Sequence, residues 1–370
     1  MKVLHIYKDY FPILGGIENH VRVLATGEAR HGLDVTVLVT HPGQEEDDRM
    51  VEGVRLIRAR RLMTKASTPL SLSLFRHAAR LPADVTHLHF PYPPGEIANL
   101  LLRHRGKTVI TYHSDIVRQK SLLRFYRPLL TRVLTRADRI IAATPQMVQN
   151  SPFLRRVAGH CTVIPYGQSL DRLAHADPGQ VAALRAQHAG PLLLFVGKLR
   201  YYKGLNYLLE AMREVNATLL VVGSGPMETE WRRQAAESSW RERIVFCGEV
   251  PDESLAALYH AADVFILPSS EKSEAYGMVM VEAMAAGKPV VCTELGTGTT
   301  YVNQDGVTGL VVPPRDPAAL AAAVNRLLAD EALRRRLGEA GRARARVEFA
   351  EETMVERVID VYQALFMVKS

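Results

Sequence analysis

Residues 273–291 read SEAYGMVMVEAMAAGKPVV. A polar, turn-like approach leads to Gly277. An Ala/Met-rich run of helical composition follows, and Gly287 and Pro289 end it before the β-branched run KPVVCT (288–293). The segment just upstream, DVFILPSS (263–270), is a short, continuously apolar run of the kind that forms a buried strand. Strand, helix and strand in succession make a βαβ unit, the building block of a parallel sheet. The same stretch carries two carboxylates, Glu274 in the approach and Glu282 inside the helical run. An apolar helix seldom keeps a Glu on a packed face without a partner. Glu282 on the helix surface and Glu274 as a loop charge is the plainer alternative, and periodicity alone does not separate the two.

Working outward, the alternation extends over the whole chain. VLHIY, DVTVLVT, VTHLHF, TVITYHS, RIIAAT and CTVIPYG are strand-like in the first half; PLLLFVGK, ATLLVVGSG, RIVFCGEV, DVFILPSS, KPVVCT and GLVVPP are strand-like in the second. Helical patterns lie between most of them, which predicts parallel sheets covered on both faces. Two such series predict two Rossmann-like α/β domains facing a central cleft, with the link near 166–178 and a last helix from about Glu351. Open α/β sheets bind ligands beyond the carboxyl ends of their strands. The residues that follow each strand are therefore the ones to inspect.

Composition bounds the rest. The chain has 370 residues, 47% apolar and 23% charged, which is ordinary for a globular protein of two domains. Its three cysteines are far apart with no CxxC spacing, which argues against a disulfide framework or a zinc site and fits a reducing, cytoplasmic setting. No run reaches the ~18 apolar residues of a membrane span. Net charge is +7, but residues 1–165 hold 24 Lys/Arg against 13 Asp/Glu, a net of +11, while the remainder holds 22 against 26, a net of −4. An anionic partner should meet the first half.

After the first strand comes FPILGGIENH, where Gly15 and Gly16 precede a helix. Such a turn lets backbone N–H groups approach an anion, although a tight βα turn without a ligand reads the same way. TYHSD brings His113 to a strand end, where Ser114 or Asp115 could equally serve as a helix cap. GKLRYYKG gathers Lys198, Arg200 and Lys203 between Gly197 and Gly204, which suits a diphosphate or a solvated basic turn. Gly277 opens the helical run, leaving the amides near Gly277, Met278 and Val279 at its positive end. Two carboxylates beside an anion make sense if each accepts from neutral hydroxyls, one from a ribose and one from a sugar. VVGSGP lacks the third Gly of the dinucleotide fingerprint, no Walker A sequence occurs, and no D-x-D clamp for a divalent ion is present.

These features together resemble the retaining glycosyltransferases of family 4, which adopt the GT-B fold. The resemblance rests on Glu274 and Glu282 with seven residues between them, GGIE, TYHSD, VGKLRYYKG, GSGP and AMAAGKPVV, in order over essentially the whole chain. It implies that Glu282 binds the nucleotide ribose, Glu274 the donor sugar and Lys203 the donor diphosphate. It also implies that Gly16 approaches the diphosphate and His113 the transferred sugar, with His113, Lys203 and Glu274 as the catalytic set. Lys198 stands where many relatives carry Arg, so Arg200 is a second candidate for the phosphate. It further implies domains of 1–166 plus 352–370 on the acceptor side and 167–351 on the donor side, the last helix crossing back. The local phrasing over 265–314 resembles bacterial envelope-polysaccharide transferases that use GDP-mannose or GDP-rhamnose, while the family also uses UDP-linked sugars.

The resulting expectation is a metal-independent, retaining hexosyltransferase with no cofactor beyond its nucleotide-sugar donor. Its acceptor would be a glycan or lipid-linked molecule, and nucleic acid is not a partner. A sugar phosphorylase, a nucleotide-sugar epimerase and a non-catalytic partner subunit on the same fold are the rival readings. IVRQKSLLRFYRPLLTRVLTR (116–136) adds six cations and no acid among apolar residues. It reads either as a core-packed helix, bent or interrupted at Pro128, or as a cationic amphipathic helix on an anionic membrane surface.

Overall fold

The computed structural model of the chain describes residues 1–13, 15–65, 68–102, 106–115, 120–188 and 190–367. It divides into two compact units, Met1–Gln168 with Glu351–Ser370, and Ser169–Ala350.

The first unit is built on an eight-stranded sheet. Its strands are β1 (Lys2–Ile6), β2 (Asp34–Thr40), β3 (Asp47–Val51), β4 (Val54–Ala59), β7 (Val85–Phe90), β8 (Lys107–Tyr112), β9 (Arg139–Ala142) and β10 (Cys161–Val163), with a small separate ribbon of β5 (Met63–Lys65) and β6 (Thr68–Leu70). Their order is β10-β9-β8-β7-β1-β2-β4-β3, and only the β3–β4 edge pair is antiparallel. Strand alternation sends Leu4 and Ile6 into one apolar cluster and Val3 into another, on the opposite face. That second cluster is closed by the last helix, Glu351–Met367, through Met354, Val355, Val358, Ile359 and Tyr362. Burying such side chains stabilises the docking by roughly 1.5–3 kcal/mol each.

The basic helix spans Lys120–Arg136 and runs through Pro128. Pro128 is exposed, so its missing N–H leaves a gap on the water side of the helix. Leu130, Val133 and Leu134 are buried in the core, and Arg127, Arg132 and Arg136 are exposed. Residues 116–119 of the predicted stretch lie outside the described residues.

The second unit has six parallel strands: β11 (Leu192–Val196), β12 (Thr218–Val222), β13 (Ile244–Gly248), β14 (Val264–Leu267), β15 (Val290–Thr293) and β16 (Gly309–Val312). β11, β14 and β15 are buried along their whole length, as their unbroken apolar runs predict. The order is β13-β12-β11-β14-β15-β16. The chain winds outward from β11 to β13, then returns to lay β14 on the other side of β11. The gap between the carboxyl ends of β11 and β14 is thus the switch point where a doubly wound sheet receives its ligand.

Candidate functional site

The loop after β11 carries Lys198, Arg200 and Lys203, and the loop after β14 carries Ser269 and Glu274. The switch point brings two of these together. Lys203 Nζ lies 2.6 Å from Glu274 Oε2, and Ser269 Oγ donates to the same oxygen over 3.0 Å. Both charged side chains are close to buried, about one-tenth exposed. Oε1 of Glu274 has no hydrogen-bond partner among the described residues. An ammonium has three donors, so Lys203 keeps two beyond this pair. Lys198 and Arg200 sit on the same loop but point outward and are exposed.

Glycine fixes this approach of the two loops. Gly204 takes φ +66°, and a Cβ there would stand 2.1 Å from the Pro268 carbonyl oxygen at the end of β14. The backbones therefore meet directly, and the Ser270 N–H donates to the Tyr202 carbonyl over 2.8 Å. Any larger residue at 204 would push Lys203 away from Glu274.

Glu282 lies on the helix Met278–Ala285, which Gly277 caps in the left-handed region at φ +82°. Gly277 is buried, Met278 exposed and Val279 half-buried. The carboxylate of Glu282 is neither a core contact nor a free surface charge. Tyr259 donates its hydroxyl to Oε2 over 2.8 Å, and Arg172 approaches Oε1 at 3.7 Å. Tyr259 lies on the helix Asp252–Ala261 and Arg172 in the turn Asp171–Ala174. Neither is visible as a partner in the sequence, because both are remote from Glu282 along the chain.

In the first unit, Gly15 and Gly16 part company. Gly16 opens the helix Gly16–Arg30, and a Cβ added to it would meet nothing within 4 Å. A Cβ on Gly15 would stand 2.0 Å from Glu18 Oε2. The side of the turn at Gly15 is thus filled by a carboxylate of the same helix, itself 3.5 Å from Lys8 Nζ. Gly16 offers the open side.

His113 follows β8 and is 5% exposed. Both of its ring nitrogens are engaged within the protein, Nε2 with His89 at 3.2 Å and Nδ1 with the Tyr166 hydroxyl at 3.0 Å. A ligand bonding to either nitrogen would replace one of these partners. Its surroundings are not evident from the TYHSD motif. His5 on β1, His87 and His89 on β7 and His20 on the helix Gly16–Arg30 form one buried imidazole cluster with His113. The signal was present as three histidines inside the runs VLHIY and VTHLHF, where strand composition alone gives no reason for them.

Burial above all depresses these imidazoles, with neighbouring histidines adding to it. His20 is pushed down to about 3, and His87, His89 and His113 fall well below the ordinary range. The unfolded chain then binds protons below the ordinary value of ~6.5 that the folded chain refuses, so stability is full above that pH and is lost as pH falls through it. Glu96 acts in the opposite sense. Burial raises it to about 8, against the Tyr92 N–H bond that lowers it, so its contribution weakens as pH rises from the ordinary carboxylate range towards 8. Four imidazoles outweigh one carboxyl. We expect the melting temperature to fall steadily between pH 7 and pH 5, and a flat profile over that window would contradict the neutral cluster.

Residues 14–172 match the model of Glycosyltransferase Family 4, and residues 180–344 match that of Glycosyl transferases group 1. The O-antigen chain mannosyltransferase C of Escherichia coli is 37% identical over 373 residues, covering 100% of both chains. The family is thereby fixed. The chain is a family 4 glycosyltransferase. The D-rhamnosyltransferase WbpZ of Pseudomonas aeruginosa is 39% identical over 357 residues, 94% of this glycosyltransferase and 92% of the relative. Among solved structures, the sucrose-phosphate synthase of Thermosynechococcus elongatus superposes with a TM-score of 0.77 at 26% identity, covering 100% of each chain. Anabaena HepE in complex with UDP superposes with 0.79 at 21% identity, covering 98% of this chain and 100% of that one, a likeness of the GT-B fold.

Proposed function

We propose that this glycosyltransferase is a retaining, metal-independent hexosyltransferase. It moves mannose or a related deoxyhexose from a nucleoside diphosphate sugar to a glycan or lipid-linked acceptor in cell-envelope polysaccharide synthesis. The observation that carries the reading is the Lys203–Glu274 pair at the β11/β14 switch point, beside the helix that bears Glu282. Glu282 holds the ribose hydroxyls, Glu274 Oε1 takes a sugar hydroxyl, and Lys203 meets the diphosphate as leaving-group charge develops. Lys198 or Arg200, the amides near Gly277, Met278 and Val279, and the open side of Gly16 supply further donors, with Gly15 supporting that turn. His113 lies near the transferred sugar. A Glu274 already bonded to an ammonium and a hydroxyl is a poor covalent nucleophile. That favours front-face attack, in which the leaving phosphate accepts the acceptor's proton.

The donor sugar is supported by the mannosyl and rhamnosyl relatives. A thermal-shift screen with UDP, GDP and ADP, followed by turnover of the matching sugars, tests it; GDP should stabilise most. The same turnover assay tests metal independence. With lysines and helix ends meeting the phosphate charge, activity should survive EDTA. Abolition by EDTA with rescue by manganese or magnesium would refute it.

Among the described residues no helix is long and apolar enough to cross a membrane. A cytoplasmic enzyme that adsorbs to the inner membrane face through Arg127, Arg132 and Arg136 fits the +11 first half. Because Leu130, Val133 and Leu134 are in the core, adsorption would be electrostatic and not insertion. Co-sedimentation should require anionic lipid and weaken at high salt. It should fall when the three arginines become Ser, and no binding at low salt would shift the acceptor towards a soluble glycan.

A further inference from the structure

We infer that Glu28 is a positioning residue for His113, acting through His5 and His89. Glu28 is fully buried on the helix Gly16–Arg30, with no exposed surface, and His5 and His89 are at most 1% exposed. Its Oε2 lies 2.7 Å from His5 Nε2; His5 Nδ1 lies 3.0 Å from His89 Nε2; His89 Nδ1 lies 3.2 Å from His113 Nε2. The chain ends on the Tyr166 hydroxyl, 3.0 Å from His113 Nδ1. A second branch starts at Glu28 Oε1, which accepts from Tyr362 at 2.8 Å. The Tyr362 hydroxyl is 2.5 Å from His87 Nδ1, and His87 Nε2 is 2.7 Å from Thr111 Oγ1.

Donor parity decides the protons. A carboxylate only accepts, and a neutral imidazole has one N–H and one lone pair. Glu28 therefore requires the proton of His5 on Nε2, which leaves Nδ1 to accept from His89 Nε2–H. His89 Nδ1 must in turn accept from His113 Nε2–H, and His113 Nδ1 accepts from Tyr166. In the other branch Tyr362 donates to Glu28 and so accepts from His87 Nδ1–H. One carboxylate thus sets Nε2–H at His5, His89 and His113, and the opposite Nδ1–H at His87. A doubly protonated His5 would reverse the first branch and put Nδ1–H on His113. Apolar side chains would fill these buried positions more cheaply than a carboxylate and three imidazoles. What the chain gains is one orientation and one tautomer for the ring at its end. His20 packs edge-on against His89 and His113, with ring centroids 5.8 and 5.0 Å away. Neither of its nitrogens has a hydrogen-bond partner among the described residues, so it stands outside the chain.

The inference rests on the reading of His113 as lying near the transferred sugar, but its first test does not depend on turnover. Side-chain nitrogen NMR of ¹⁵N-histidine-labelled, ligand-free protein should show Nε2–H at His5, His89 and His113, with Nδ1–H at His87. Glu28→Gln replaces a fixed acceptor by an amide that both donates and accepts. The Nδ1–H form of His113 should then appear. Turnover should fall on the order of ten-fold through misorientation, with the donor KM unchanged. Tyr362→Phe cuts only the second branch and should leave His113 as in the wild type. Nδ1–H at His113 in the wild type, or an unchanged His113 in Glu28→Gln, would overturn the inference; the first measurement stands even if the variant does not fold. A wild type with these tautomers that transfers no sugar would contradict the proposed function and bear out the tautomer assignment.

Discussion

Lys203→Ala is expected to lower turnover by about 10²–10³-fold, the usual cost of removing a group aimed at charge developing in the transition state. Glu274→Ala should lower turnover too, for a different reason: the sugar loses its acceptor while the phosphate keeps its cation. Its affinity for free nucleoside diphosphate should stay nearly intact. Each single change also strands the other member of a nearly buried pair, which costs about 3–5 kcal/mol of stability where burial is complete and less here, where both side chains are about one-tenth exposed. The double variant separates these effects. Removing both charges should restore most of the melting temperature lost by either single variant and none of the turnover. Turnover that returns with stability would mean that the pair only holds two loops together.

Glu282→Ala should act at the other end of the donor. Its carboxylate is oriented by the Tyr259 hydroxyl at 2.8 Å. If it also accepts from the ribose, losing it costs about 1–3 kcal/mol of nucleotide binding, roughly 5–150-fold in Kd. Tyr259→Phe removes the orienting bond and keeps the carboxylate, so it should cost less. Equal losses for Glu282→Ala and Glu274→Ala would remove the division of labour between them.

The repeated strands were legible because each is a short β-rich run between turn residues, and several, such as LLLFV and VFIL, are continuously apolar, as a sheet covered on both faces requires. The edge strand β3, DDRMV, was not. It opens on three charged residues and is mostly exposed, and its pairing is set by the Glu52–Gly53 turn and by ion pairs of Asp47 and Asp48 with Arg58 and Arg55. Lys203 and Glu274 could be read because they lie in the loops that follow β11 and β14, and Glu282 because it is a lone carboxylate in the apolar helix that comes next. Their partners could not. Tyr259 and Arg172 reach Glu282 through the packing of elements remote in the chain, which a single sequence does not state, while Ser269 meets Glu274 through the local fold of their shared loop. The histidines on β1 and β7 were hidden for the opposite reason, since β-rich composition made them look like strand filler. Glu18 beside Gly15 was equally hidden, because a first-turn acid reads simply as a favourable helix start.

The ribose of the donor nucleotide is expected on Glu282 and not on Glu274. Calorimetric titration of GDP, and of UDP for comparison, into the wild type, Glu282→Ala and Glu274→Ala tests this without an acceptor. The expected result is a GDP affinity that drops roughly 5–150-fold in Glu282→Ala and stays within about two-fold of the wild type in Glu274→Ala. Unchanged affinity in Glu282→Ala, with the variant folded, would mean that the ribose is bound elsewhere and would contradict the account.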